Sequence, residues 1–210
     1  MLAPVRNWPA GFRGKNMQVG PYELFPHQER AISETRHAVA KLRAAGLPPR
    51  VLLVGPCGVG KTIMSSALMS LSLEKENACA FLAHGRQLIF QKSAKLQDCG
   101  IQHSVLMDGE EYYHSRCTVA SKDTYWSRSF VDDRVPKLNV KMLIVDEAHQ
   151  SIEGSWRTIL EHNPETIIIG LTATPARGNG TGLGDFYKAM VTAATYEELL
   201  AAKPPFLVPP

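Results

Sequence analysis

Two stretches of this chain carry residue types and spacing that chemistry needs. The first is Gly55-Pro56-Cys57-Gly58-Val59-Gly60-Lys61-Thr62, fed by the apolar run Val51-Leu52-Leu53-Val54. An apolar strand running into G-x-x-x-x-G-K-T is the pattern of a loop that wraps nucleotide phosphates. Its glycines let backbone N–H groups turn inward, and a helix expected from about Thr62 adds the partial positive charge of its N-terminus. Gly55, Cys57, Gly58, Val59, Gly60, Lys61 and Thr62 form the candidate phosphate-binding set. Lys61 reaches the β- and γ-phosphates, and Thr62 places its hydroxyl on Mg²⁺. The plain alternative is a glycine-rich turn with a surface lysine. Strand, spacing and the Lys-Thr ending together speak against it.

The second stretch is Lys141-Met142-Leu143-Ile144-Val145-Asp146-Glu147-Ala148-His149, an apolar strand that ends in two adjacent carboxylates. Two acids side by side at a strand end are costly unless a cation is present. Asp146 is the natural partner for Mg²⁺, directly or through water, and Glu147 is placed to polarise a water that attacks a γ-phosphate. An acid-rich helix start favoured by the macrodipole is the alternative. Residues 166–171 form a further β-branched strand ending in Thr172-Ala173-Thr174. These two threonines can hydrogen-bond the acidic cluster and so report its state.

Positioning such groups takes a sheet of buried strands, expected at residues 51–54, 78–83, 102–107, 117–120 and 141–145 besides 166–171. Helices are expected between them. From Pro26, Ala31, Ile32, Val39, Leu42 and Ala45 make one apolar face until Gly46 and Pro48 end it. After the glycine-rich loop, Ile63, Met64, Ala67, Leu68 and Leu71 do the same. Gln28 opens the first of these helices. Its amide matches the edge of adenine; alone it reads more readily as a solvated helix residue, and its place one helix before the phosphate loop raises the functional reading. His84 and Arg86 lie at one strand-to-helix junction, and Ser121, Lys122, Thr124 and Arg128 follow another strand. Hydroxyls and basic groups at successive strand ends suit sugar-phosphate contacts. Singly, each also reads as a solvated loop position.

Composition narrows the class. The 210 residues suit one large domain, and 44% hydrophobic content fits a soluble globular chain. A net charge of +3 permits a nucleic-acid partner without demanding one. Cys57, Cys79, Cys99 and Cys117 show no C-x-x-C pairing, which disfavours a zinc site or a disulfide framework and suits a reducing, cytoplasmic setting. No apolar leader and no membrane-length apolar run are present. Residues 1–21, rich in Pro, Gly and Asn, read as an irregular lead-in with Trp8 and Phe12 as anchors.

From about residue 22 to residue 203 the order of these stretches resembles the first RecA-like domain of a superfamily 2 helicase or translocase of the DEAD/DEAH type. Phe25-Pro26-His27-Gln28 looks like the adenine-reading glutamine motif, and residues 55–62 look like motif I. Leu82-Ala83-His84-Gly85-Arg86-Gln87-Leu88 with Gln91 looks like motif Ia, with Gly85 where many relatives carry a basic residue. Val119-Ala120-Ser121 with Thr124 and Arg128 resembles the next nucleic-acid-contacting motif. Asp146-Glu147-Ala148-His149 matches the DEAH box, and Thr172-Ala173-Thr174 matches motif III. Residues 171–184 with Phe186 are similar to the subgroup of restriction-enzyme translocases and excision-repair-type DNA helicases, which favours DNA over RNA.

The resemblance implies an α/β RecA-like P-loop NTPase domain, a mainly parallel sheet with helices on both faces. It implies ATP and Mg²⁺ as cofactors and DNA as a partner. His149, Thr172 and Thr174 would couple the ATP site to the nucleic-acid site. Residues 196–203 look like the last short helix, and residues 204–210 like the start of a link to a second RecA-like domain. That second domain would supply an arginine to the γ-phosphate, worth about 10³ to 10⁵ in rate, and no such motif follows Arg177. Two further classes stay open: a truncated, non-hydrolysing module that docks on nucleic acid or on a complete helicase, and a kinase sharing the phosphate loop. The kinase leaves residues 146–149 and 172–174 unexplained.

Overall fold

The structure is a computed structural model that describes residues 17–150, 153–175 and 183–202. In chain order the elements are β1 (Gln18–Val19), β2 (Tyr22–Glu23), α1 (Pro26–Ala44), β3 (Arg50–Val54), α2 (Lys61–Leu73), β4 (Cys79–Ala83), α3 (Arg86–Asp98), β5 (Ser104–Leu106), β6 (Cys117–Ser121) and α4 (Lys122–Trp126). A π-helical turn at Ser127–Val131 continues α4. Then come β7 (Met142–Val145), a 3₁₀ turn at Ala148–Gln150, α5 (Ser155–Glu161), β8 (Ile167–Thr172), β9 (Ala189–Thr192) and α6 (Tyr196–Ala201).

Seven strands form one sheet in the order β5-β6-β4-β7-β8-β3-β9, and every ladder in it is parallel. A parallel strand in mid-sheet is covered on both faces, which is why these segments are apolar almost throughout. Alternation along β3 sends Val51 and Leu53 to one face and Leu52 and Val54 to the other. The first face packs on α1, α2 and α3 through Ile32, Met64, Met69, Ile89 and Leu96. The second packs on Tyr125, Trp156, Leu160, Phe186 and Tyr187. The architecture is therefore the α/β RecA-like one, with helices on both faces.

Parallel strands share one C-terminal edge, and ligands of such sheets bind there. Here that edge carries Gly55 after β3, His84 after β4, Ser121 on β6, Asp146 after β7 and Thr172 on β8. Strand β8 lies between β3 and β7, so Thr172 stands between the phosphate loop and the acid pair.

Some expectations are corrected. Residues 17–23 are not irregular: β1 and β2 pair antiparallel, and Val19 is buried in the core. Gly20, with φ +55°, lies so close to Cys99 that a Cβ would stand 2.4 Å from its Cα. Two-residue strands are too short to show a period. Strand β5 spans Ser104–Leu106 rather than residues 102–107. Strand β9 and helix α5 had no clear sequence signal, β9 because four residues between a glycine-rich segment and an alanine pair show no period. Trp8, Phe12, Arg177, residues 176–182 and the expected link at 204–210 lie outside the described residues. Among the described residues no helix is long and apolar enough to cross a membrane.

Gly170, in the middle of β8, packs against Tyr187 so closely that a Cβ would stand 2.3 Å from the phenolic oxygen and 2.7 Å from Ala148 Cβ. Tyr187 is fully buried and cannot swing away. Gly170→Ala is expected to destabilise the fold by about 1–3 kcal/mol through overpacking, read as a lowered urea midpoint. An unchanged midpoint would show that Tyr187 can give way.

Candidate nucleotide-binding site and nucleic-acid edge

The phosphate loop is tied at its start, where the Gly55 N–H donates to the Thr172 carbonyl at 3.0 Å. It turns through left-handed backbone at Gly58 (φ +83°) and at Gly60 (φ +90°), the latter being the N-cap of α2. Cys57, Gly58 and Thr62 are exposed on the rim, and Val59 is buried beneath it. Lys61 Nζ folds back over the loop and donates to the carbonyls of Gly55 (2.8 Å) and Pro56 (3.2 Å). Its ammonium is therefore held over the loop by two backbone oxygens.

Gln28 is 5% exposed, so the solvated-residue alternative does not describe it. Its Nε2 donates to the Val59 carbonyl at 3.1 Å, and its Oε1 accepts the Phe25 N–H at 3.1 Å. His27 Nε2 lies 3.3 Å from the same Val59 carbonyl. Burial lowers the His27 pKa despite that contact, so the ring favours its neutral form. Each end of the Gln28 amide makes one of these bonds, which leaves its second N–H and its second oxygen lone pair uncommitted by them. What the amide does visibly is hold the phosphate loop to α1.

The acid pair follows β7. Asp146 N–H donates to the Leu82 carbonyl at 2.9 Å, continuing the sheet. Glu147 then takes φ +47°, a left-handed conformation that costs a non-glycine residue about 1–3 kcal/mol. The turn lets the Glu147 N–H donate to Asp146 Oδ1 at 3.0 Å. Burial raises the Asp146 pKa; the Glu147 N–H opposes this, the Glu147 charge adds to it, and Lys61 and Lys92 oppose it. A carboxyl whose pKa is raised by burial and a neighbouring acid is one whose charge a divalent cation would stabilise. Among the described residues no group of three or more His, Cys, Asp or Glu forms an all-protein metal cage. Mg²⁺ needs only one or two protein oxygens beside phosphate oxygens and water, and Asp146 and Thr62 are donors of that kind.

Behind the pair, His149 Nδ1 lies 3.2 Å from Thr172 Oγ1 and 3.3 Å from Glu147 Oε2. The single Thr172 hydroxyl hydrogen goes to the Thr174 carbonyl at 2.9 Å, and Thr172 Oγ1 accepts the Thr174 N–H at 3.1 Å. The proton between His149 and Thr172 must therefore come from Nδ1, which shares it with Glu147. The other ring nitrogen, Nε2, is left to accept from Gln150 Nε2 at 3.3 Å. His149, Thr172 and Thr174 are thus brought together with Glu147 in one network.

Five of the six candidates after β4 and β6 also assemble, in two clusters. In one, His84 Nε2 accepts the Trp156 indole N–H at 3.0 Å and His84 Nδ1 lies 3.2 Å from Asp123 Oδ2. Lys122 Nζ reaches the other Asp123 oxygen at 3.0 Å, with the Trp156 ring 6.0 Å away. Burial alone would raise the Asp123 pKa, but Lys122 and His84 more than reverse it. In the other cluster Asp108 gathers the rest. Arg128 Nη2 lies 3.4 Å from its carboxylate, Arg86 donates to its carbonyl at 3.2 Å, and Thr124 Oγ1 accepts its N–H at 3.2 Å. Ser121 stands at the N-cap position of α4 and makes no side-chain capping bond. Trp156, Asp108 and Asp123 were not singled out by motif spacing, since a lone Trp or Asp has no spacing to read.

An all-parallel sheet with a phosphate loop after β3, an acid pair after β7 and a threonine strand between them defines the first RecA-like domain of a superfamily 2 helicase, a helicase-like ATP-binding module. More narrowly, residues 21–177 match the family described as "Type III restriction enzyme, res subunit", and the chain belongs to that family. A 51.5 kDa protein of a Lactococcus phage is 28% identical over 155 residues, which are 72% of this chain and 30% of that protein. The transcript termination protein A18 of Yaba-like disease virus is 27% identical over 164 residues, 74% of this chain and 34% of that protein. The chain thus spans about a third of the length of these curated relatives. Among solved structures, the Pyrococcus furiosus Hef helicase domain superposes with a TM-score of 0.65 at 16% identity, over 86% of this chain and 38% of that one. The Sulfolobus solfataricus SWI2/SNF2 ATPase core in complex with dsDNA gives 0.60 at 14%, over 77% and 35%. At such identities the likeness is one of fold.

Gly60 tests how tightly loop and α1 are joined. A Cβ there would stand 2.3 Å from Gln28 Nε2, on a backbone at φ +90°. Gly60→Ala is expected to cost about 1–3 kcal/mol from the strained backbone, with release of the Gln28 contact, measured by denaturant unfolding. Unaltered stability would mean that the loop and Gln28 are not coupled.

Proposed function

We propose that this chain is the ATP-binding half of a DNA helicase or translocase, converting ATP to ADP and phosphate in a cycle coupled to nucleic-acid binding. The observation that carries the reading is the pairing of β8 with both β3 and β7, which aims the phosphate loop and the acid pair at one cleft. The phosphate loop holds the α- and β-phosphates through its N–H groups and the N-terminus of α2. Lys61 leaves the carbonyls of Gly55 and Pro56 and meets the β- and γ-phosphates. Thr62 and Asp146 would hold Mg²⁺, which would supply charge neutralisation at the phosphates. Glu147 takes the proton of the attacking water.

Protonation of Glu147 removes the charge that shares His149 Nδ1–H, so that hydrogen bond shifts toward Thr172. This is a route by which the state of the γ-phosphate reaches Thr174 and the strand edge. His84, Arg86, Ser121, Lys122, Thr124 and Arg128 supply the sugar-phosphate contacts, which need donors and positive charge but no base code. The neighbour solved with dsDNA and the subgroup resemblance support DNA as the partner. A second RecA-like domain would supply an arginine to the γ-phosphate.

Lys61→Ala is expected to abolish binding of a fluorescent ATP analogue, whereas Glu147→Gln keeps binding and loses turnover. ATPase assays with and without single- and double-stranded DNA should show DNA-stimulated turnover in the unsubstituted chain. Turnover unchanged by Glu147→Gln sinks the catalytic assignment. Nucleotide binding with no turnover under any condition would favour the non-hydrolysing docking module.

A further inference from the structure

Lys92 belongs to none of the motifs, yet it is 1% exposed and sits on the core face of α3 beside Ile89, Ser93 and Leu96. A leucine or methionine would fill that position without the penalty of burying an amine. Its Nζ points at the first turn of α2. It donates to Ser65 Oγ at 2.7 Å, to Ser66 Oγ at 2.9 Å and to the Thr62 carbonyl at 3.3 Å, with the Phe81 ring 4.9 Å away. Three ammonium hydrogens thus meet three oxygens, the condition under which a buried cation is tolerated.

The two serines complete the arrangement. Ser65 and Ser66 each donate their own hydroxyl hydrogen to the Thr62 carbonyl, at 2.8 and 2.9 Å. Their lone pairs are left for Lys92, and three side chains converge on a single peptide oxygen. That peptide belongs to Thr62, whose hydroxyl stands on the exposed rim of the phosphate loop. Burial brings the Lys92 pKa down to about 7, opposed by Cys117, Asp146, Cys99 and Cys79. The neutral amine keeps two N–H donors for the serines, so the clamp does not hang on its charge.

We infer that Lys92 is a positioning residue of the nucleotide site, locking the Thr62 peptide through Ser65 and Ser66 so that the Thr62 hydroxyl is held where Mg²⁺-bound phosphate needs it. The inference rests on the proposed nucleotide site and adds a support that no motif contains. Because α3 begins at Arg86, the same helix that reaches the nucleic-acid edge also braces the metal-binding threonine. Support of this kind behind a metal ligand is commonly worth about 10- to 100-fold in metal affinity.

The test is binding of fluorescent ADP to the chain, in EDTA and in Mg²⁺, with thermal melting alongside. In Lys92→Met the Thr62 carbonyl keeps both serine donors and no buried donor is orphaned, so melting should hold. The expected result is unchanged affinity in EDTA and a loss of about 10- to 100-fold in the gain that Mg²⁺ brings. The triple variant Lys92→Met, Ser65→Ala, Ser66→Ala removes the whole clamp without leaving a buried amine unpaired and should lose the same Mg²⁺-dependent gain; it decides the matter if Lys92→Met fails to fold. A gain unchanged in the variant that folds overturns the proposal, as does an equal loss in EDTA and Mg²⁺ accompanied by lower melting. Absence of ADP binding to the unsubstituted chain overturns the nucleotide-site reading itself, and the proposal with it.

Discussion

The double pairing of β8, with β3 on one side and β7 on the other, is the constraint on which the site depends. Adjacent strands stand about 4.8 Å apart, so the ends of β3 and β7 are separated by about twice that, roughly 10 Å. The glycine-rich loop thus stands on one side of Thr172 and the two carboxylates on the other. The Gly55 N–H bond to Thr172 carries the register of the ladder into the loop. The buried Thr172 hydroxyl carries it to His149 and Thr174. Gly170, pressed between Tyr187 and Ala148, keeps the 3₁₀ turn after the acid pair tight against β8.

Electrostatics then divides the edge into two regimes. Near the phosphate loop, charges are partly buried and strongly felt: burial and the Glu147 charge raise the Asp146 pKa, while Lys61 donates to loop carbonyl oxygens. Along the nucleic-acid edge, the basic groups are paired with Asp108 and Asp123, which are exposed. Exposed ion pairs are worth little in water. Here only the acids are well exposed, while Lys122 is buried and the Arg128 side chain is 22% exposed, so the pairs hold these cations in place.

The strands that carry the motifs were legible because a parallel strand buried on both faces leaves a continuous apolar run, and the residue that ends the run is polar for a reason. Residues 51–54 and 141–145 are of this kind. Strand β9, only four residues long, and the β1–β2 hairpin carry no period of their own and exist because β3 and α2 offer them a partner. Gln28 illustrates the middle case. Its type and place before the first helix singled it out, but its burial and its hold on Val59 arise only once α1 lies against the phosphate loop.

The sequence alone determined the chemistry on offer: a glycine-rich loop with Lys61 and Thr62, an acid pair at a strand end, a threonine pair after another, and through their order a resemblance to the first RecA-like domain of a helicase. Local spacing suffices for these, because each motif is a contiguous strand and turn. Only the tertiary structure decided which groups meet. Asp123 stands 39 residues from His84, Trp156 72 residues from it, and Lys92 30 residues from Thr62. No periodicity links positions so far apart. Their contacts follow from the order of strands in the sheet and from the close packing of α2 on α3, and so the brace beneath the phosphate loop is a property of the fold rather than of any motif.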